Sequence, residues 1–509
     1  MFRDILYFSK EKMESVSFKK RIKMVKKQIS KKIFIYFLSL LSFLFFFVSC
    51  NSKASSKSSE PIETDTSKPN IIVILIDDAG YADFGFMGSK DLKTPQIDKL
   101  AKSGVVLTDA HVSASVCAPS RAGLITGMYQ QRFGFEANGT GDENTGDIGL
   151  SEDVQTMATV FKKNNYKTIA IGKWHLGASP SDHPNQRGFD EFYGFLAGGR
   201  SYFPIQNPSR ELMLQQNGKQ VKFDGYLTDE LGNRSVQFIE ENKNHPFFMY
   251  LAYNAVHTPM EAKEVDLMKF KDHPRRTLAA MTWSLDENIG KLQRKLEELN
   301  LLDNTLIYFL SDNGGAHNND SNNEPLKGWK GNEFEGGHRV PFIVSWKSKI
   351  KPDQTYDGLS SSLDIFTTSL AAANIPIEDT WKLDGMNLLP YLTGQKKEMP
   401  NRKLFWRKLD ESAVRIGNLK MINLKNYGAV MYDLSKDLDE VHDLSLQDTT
   451  AFNRLNNSLS KWESNLMKPL WGEGQPWEEV TYYIHQRLME NKPALYKSPS
   501  EKQEIISDK

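Results

Sequence analysis

The stretch NIIVILIDDAGYADFG, residues 70–85, decides the architecture. After Asn70 it runs through Ile, Val and Leu without a polar side chain as far as Ile76. A strand with one wet face alternates apolar and polar residues. An unbroken apolar run instead marks a strand buried on both faces, as in a parallel sheet covered by helices. The run ends at two adjacent carboxylates, Asp77 and Asp78.

Similar runs recur outward from this one: KTIAIGKWH (167–175), PFFMYLAYNAVH (246–257), TLIYFLSDNGG (305–315) and VPFIVSW (340–346). Helical periodicity fills the intervals, as in TPQIDKLAKSG (94–104), VQTMATVFKKNN (154–165) and MTWSLDENIGKLQRKLEELN (281–300). This alternation predicts an α/β fold, a large mostly parallel sheet sandwiched by helices. Past about residue 400 the texture changes to short alternating strands, KLFWRK, SAVRIG, LKMINL and AVMYDL, then the amphipathic TAFNRLNNSLSKWESNL. The expected order is a catalytic domain at 69–400 and a small C-terminal α+β subdomain with an antiparallel sheet at 401–470. A tail at 471–509 reads as frayed.

Among the 509 residues, 64 Lys and Arg balance 64 Asp and Glu. No global field favours nucleic acid or an anionic membrane, so an anionic substrate must be gripped by local charge. The two cysteines, Cys50 and Cys117, are too few for a disulfide framework or a zinc cluster. Residues 1–32 are basic, and IFIYFLSLLSFLFFFVSC (33–50) has the apolar middle and small-residue end of a signal peptide. Its apolar run is shorter than the ~20 residues of a spanning helix. The FVSC end resembles a bacterial lipobox, with Phe47 where Leu is usual. That resemblance implies cleavage after residue 49 and lipidation of Cys50, giving a lipid-anchored outer-membrane lipoprotein; Met13 and Met24 are alternative starts. An uncleaved membrane anchor is the competing reading. Residues 50–68, rich in Ser and Lys, read as a flexible tether.

In open α/β sheets, sites gather beyond the carboxyl ends of the strands. Asp77, Asp78, Lys173, His175, His257, Asp312 and Asn313 all fall just past predicted strand ends. One Asp-Asp pair alone would read as a loop or cap. Two oxygen-rich pairs at one edge suit a hard cation, Ca2+ or Mg2+. Lys173 and His175 alternate onto one side, with Trp174 on the other. A divalent cation with Lys173 and Lys330 would neutralise a phosphate or a sulfate, and His257 is placed to act as general acid.

CAPSRAGLITG (117–127) is similar to the C-x-P-S-R-x-x-x-L-x-T-G signature of the type I, formylglycine-dependent sulfatases of the alkaline phosphatase superfamily. The blocks NIIVILIDDAGYADFG, TPQIDKLAKSG, GKWHLG, RGFDEFYGF, YLTDE, SDNGG, EGGHRVP and MYDLSKDLDEVHDL resemble that family too, in order, over roughly residues 69–465. The resemblance implies an exposed, unpaired thiol at Cys117. A formylglycine-generating or anaerobic sulfatase-maturating enzyme would oxidise it to formylglycine (3-oxoalanine), whose hydrated diol attacks sulfur. Carried over, Asp77, Asp78, Asp312, Asn313 and the diol at residue 117 bind the metal, with Ca2+ ahead of Mg2+. Arg121 holds the diol, Lys173 and Lys330 bind sulfate oxygens, His257 with Lys330 protonates the leaving oxygen, and His175 takes a proton from the second diol hydroxyl.

Two other classes compete. A phosphodiesterase or phosphonate hydrolase would need further His and Asp zinc ligands that the pattern does not supply. A non-catalytic sulfated-glycan-binding lipoprotein would not need every catalytic position filled. For the sulfatase, the expected substrate is an oligosaccharide of an algal polysaccharide (ulvan, carrageenan, agar or fucoidan), with glycosaminoglycan or aryl sulfates as alternatives. Specificity is expected in LAGGRSYFPIQNPSR (196–210) and AHNNDSNNEP (316–325), where Arg200, His317 and, outside both, His183 are candidate sugar contacts beside the reading that they are solvated loop residues.

Overall fold

The computed structural model describes residues 68–139, 148–398, 402–473 and 475–492. The leader, Cys50, the tether before Lys68 and the chain after residue 492 lie outside them. All described residues belong to one compact unit, Thr64–Lys509. Among the described residues no helix is long and apolar enough to cross a membrane.

The strand Asn70–Ile76 sits inside a ten-stranded sheet and is buried along its whole length. It pairs in parallel with Phe247–Ala252 on one side and Thr305–Ser311 on the other. Lys167–Lys173 and Glu191–Phe195 continue the parallel run. Antiparallel pairing enters only toward the edges, at Phe342–Ser345 and at Gln215–Gln216. The sheet is thus mostly parallel, as its apolar runs predict.

Its pleat explains why the first run lacks polar residues. Ile71, Val73 and Leu75 face one apolar core, where the helices Cys117–Thr126, Met157–Lys163 and Asp364–Ala372 pack. Ile72, Ile74 and Ile76 face the other, with Pro95–Lys102, Leu227–Glu241 and Arg276–Glu298. Each helix lays its apolar stripe on the sheet, and each face of the strand is dry.

The C-terminal part is a four-stranded antiparallel sheet, Lys403–Lys408, Glu411–Ile416, Leu419–Leu424 and Gly428–Asp433. Helix Thr449–Glu463 covers one face through Ala451, Leu455 and Leu459. On the other face Trp406 joins the sheet to the larger body. Its ring stacks on His338 at 4.1 Å and its Nε1 donates to the Val112 carbonyl at 2.8 Å. The expected frayed tail is partly wrong. Gln475–Met489 is a helix, and Val480, Ile484 and Leu488, spaced one turn apart, enter the same apolar cluster as Trp406. Burial of that stripe is the physical reason the segment orders.

Candidate active site

Asp77 and Asp78 follow the strand Asn70–Ile76, Lys173 ends Lys167–Lys173, and Asp312 and Asn313 follow Thr305–Ser311. Cys117 opens the helix Cys117–Thr126. These strand ends share one edge, and the side chains meet there.

Three carboxylates and three cations interlock. Lys173 Nζ donates to Asp77 Oδ2 at 2.6 Å, and Lys330 Nζ to Asp78 Oδ2 at 2.8 Å. Arg121 Nε donates to Asp312 Oδ2 at 2.9 Å while its Nη1 donates to the Lys173 carbonyl at 3.1 Å. Asn313 Nδ2 donates to Asp78 Oδ1 at 2.8 Å. Cys117 Sγ lies 3.8 Å from the same Oδ1. His257 Nδ1 is 2.6 Å from the Thr258 carbonyl, which can only accept, so that nitrogen carries a proton and Nε2 faces the cluster, 3.6 Å from Asp78 Oδ2.

Burial sets the electrostatics. It pushes the Asp312 carboxyl up to about 6, with Asp77 adding to the rise against Arg121 and Lys173. Burial also raises Asp78, but Lys330, His257 and Lys173 outweigh it and hold that carboxyl well below the usual range. For the Cys117 thiol, burial works upward and Lys173 and Lys330 work downward, bringing it to about 7. His257 is pushed down by burial and lifted more by Asp77 and Asp78.

The donor set fits a hard cation. Asp77 Oδ1, which has only Arg121 Nη2 at 3.6 Å, and Asn313 Oδ1 are buried oxygens with no hydrogen-bond partner, an arrangement that a cation between them would relieve. Ligand atoms of Asp77, Asp78, Cys117 and His257 all lie within 4.8 Å of one another. Backbone geometry serves the same end. Asp78 takes φ 61°, and its carbonyl is held by Asn319 Nδ2 and Ser321 Oγ, each at 3.0 Å, so the 316–325 loop fixes the carboxylate pair. A Cβ on Gly314 would lie 1.7 Å from the Gly336 carbonyl, so this turn admits no side chain.

Several expectations change. The thiol expected to be exposed is 1% exposed. His175 lies beyond the strand end at φ 58°, so alternation does not place it; Trp174 is nonetheless buried in the core behind. Gly198 packs on the His175 ring and Gly199 on that of His257. The 196–210 loop therefore borders the site through backbone rather than through Arg200. That guanidinium is turned into its own loop, donating to the carbonyls of Leu212 at 2.7 Å and Ser201 at 3.1 Å. His183 pairs with Gln215 and does not line the cavity at the cluster. His317 does line that cavity, with its ring 5.3 Å from Trp329. Sequence reading missed Lys408, Glu473 and Thr481, which line it from the C-terminal part. The VTYYIHQRL periodicity was the available signal. A second buried network, Asp109, His111, Glu335, His338, Arg415 and Lys420, also escaped notice because its members are scattered along the chain.

Fold and site together define a hydrolase acting on esters of an oxyanion. The chain belongs to the sulfatase family, whose model matches residues 69–375, and is a sulfuric ester hydrolase. An uncharacterized sulfatase, YdeN, of Escherichia coli (strain K12) is 33% identical over 403 residues, covering 68% of this chain and 70% of that protein. The N-acetylgalactosamine-6-sulfatase of Homo sapiens is 31% identical over 367 residues, covering 67% and 69%. The crystal structure of Ps i-CgsB superposes with TM-score 0.76 and 38% identity, over 82% of this chain and 98% of that one. The Ps i-CgsB complex with k-i-k-neocarrahexaose gives TM-score 0.75 at 37% identity, again over 82% and 98%.

Proposed function

We propose that the chain is a formylglycine-dependent sulfatase acting on a sulfated carbohydrate, oligosaccharides of an algal polysaccharide in particular, from a lipid anchor at Cys50 in the bacterial cell envelope. The observation that carries the chemistry is the position of Cys117 Sγ, 3.8 Å from an Asp78 oxygen inside a ring of three carboxylates and three cations. The carbohydrate class is supported by the human N-acetylgalactosamine-6-sulfatase and by the complex of Ps i-CgsB with k-i-k-neocarrahexaose.

A formylglycine at residue 117 with Ca2+ beside it would supply an oxygen nucleophile for sulfur and a second hydroxyl for the release of sulfate. Asp77, Asp78, Asp312 and Asn313 would hold the cation. Arg121 orients position 117 from one helical turn away, anchored by Asp312. Lys173 and Lys330, now paired with Asp77 and Asp78, take the sulfate oxygens. His257 keeps its Nδ1 proton on the Thr258 carbonyl and gives a proton from Nε2 to the leaving oxygen. His175 accepts a proton at position 117.

The test is sulfate release by the full chain co-produced with a formylglycine-generating enzyme, on algal and animal sulfated oligosaccharides and one aryl sulfate. Release is expected to vanish in Cys117→Ala. Release that survives the substitution sinks the mechanism.

A further inference from the structure

The cavity in front of His257 and Lys330 runs away from the carboxylates toward the helix Gln475–Met489. That helix lies outside residues 69–375, the part the family model covers. Val480, Thr481 and Ile484 form its far wall, with Lys408 and Glu473 beside them. The cavity measures ≈ 260 Å³, below the ~300–1,000 Å³ of clefts for drug-sized ligands. That is room for one sugar ring beyond the sulfate.

Charge along the cavity is uneven. At the near end stands Lys330, beside the reacting centre. At the far end Lys408 is fully engaged: its Nζ donates to the Gly331 carbonyl at 2.9 Å and to Thr481 Oγ1 at 3.3 Å, and lies 3.0 Å from Glu473 Oε2. An ammonium has three protons, and these three partners use them. Thr481 in turn donates to Glu473 Oε1 at 3.0 Å. Glu473 lines the cavity, and each of its oxygens, with Thr481 on Oε1 and Lys408 on Oε2, has the capacity to accept a second hydrogen bond. Among the described residues, the far end thus offers acceptors for sugar hydroxyls and no cation that is not already paired. A second sulfate or a uronate carboxylate there would find the Lys408 protons already taken and the Glu473 carboxylate beside them, so its own desolvation would go uncompensated.

We propose that Lys408, Glu473 and Thr481 form the subsite for the leaving sugar and select a ring whose only anion is the ester sulfate. This rests on the sulfatase reading of the site. The sugar hydroxyls donate to Glu473, while Val480 and Ile484 meet the apolar face of the ring.

The experiment uses the full chain co-produced with a formylglycine-generating enzyme. Its substrates are monosulfated galactose and N-acetylgalactosamine regioisomers, the disulfated forms of the same rings, and 4-nitrophenyl sulfate. The wild-type kcat/KM is expected to favour the monosulfated over the disulfated ring by at least about tenfold. Glu473→Gln removes the carboxylate and leaves the Lys408 charge unbalanced, so that preference should shrink or invert. The ratio of monosulfated sugar to aryl sulfate turnover should fall as well. A merely structural Glu473 would lower all three activities together. Wild-type preference for the disulfated ring, or a preference unmoved by Glu473→Gln, overturns the subsite. If the variant does not fold, the wild-type preference alone decides. Loss of Cys117-dependent release from every ester, aryl sulfate included, removes the sulfatase reading and the subsite with it. Aryl sulfate release without a sugar preference removes the subsite alone.

Discussion

Gly198 and Gly199 set how closely the 196–210 loop can lie on the two imidazoles. A Cβ at Gly198 would stand 2.4 Å from His175 Nε2, so one ring or one loop must move. Gly198→Ala should therefore lower kcat by about tenfold, the size of a misplaced proton acceptor, while the thermal midpoint changes little. A kcat within twofold of wild type would show that His175 does not depend on that contact. The buried histidines under Trp406 lead to a pH prediction. Burial pushes the imidazolium of His338 well down, with Lys420 adding to it, and burial also lowers His111. Their folded values lie below the ordinary 6.5, so the unfolded chain binds more protons. Their contribution is present above that value and is lost as pH falls through it, by at most about 1.4 kcal/mol per pH unit per histidine. Glu333 and Glu440, pushed up to about 7 by burial, act in the opposite sense. The clean readout is thus a difference. The thermal-midpoint deficit of His338→Gln against wild type should shrink as pH falls from about 7.5 to about 5.

At the scale of elements, the parallel sheet was legible because double-sided burial forces an unbroken apolar strand, and that pattern is visible without a partner. Asp77, Asp78, Lys173, Asp312 and Asn313 were legible for a related reason: strand ends can be read from where apolar runs stop. Arg121 was legible from its motif. The wall made by Lys408, Glu473 and Thr481 was not, since it depends on how the C-terminal sheet and helix dock, a long-range event that the helical periodicity of residues 480–488 does not specify. Arg200 misled because a loop arginine looks the same in sequence whether it meets a substrate or its own backbone carbonyls. The C-terminal helix shows the same limit, the stripe of Val480, Ile484 and Leu488 being too short to outweigh the polar residues around it. Ile484→Ala should cost about 2–5 kcal/mol by opening a cavity in the Trp406 cluster. The loss should appear as a lower thermal midpoint and as faster proteolysis within residues 475–492. A midpoint equal to wild type would mean that this helix contributes nothing to the fold.

Over the whole molecule positive charge is not in excess; it is concentrated locally, in the active site and in the buried network under Trp406. Residues 50–509, the chain left by the proposed cleavage, hold 53 positive and 61 negative side chains, so no net positive field steers an anionic substrate from a distance. Raising NaCl from about 50 to about 300 mM should therefore change kcat/KM for a small sulfate ester by less than about threefold. A tenfold fall would reveal steering by an uneven surface. The compact body also imposes an order of events on its own manufacture. Cys117, at 1% exposure, lies at the bottom of a closed assembly of strand ends and helices. No second protein can bring a catalytic group to its sulfur once those elements have closed over it. Any enzyme that alters this thiol must reach the chain while it is still open. Chain closure is then a deadline, and molecules that beat the modifying enzyme to it are finished in shape with the original sulfur sealed inside.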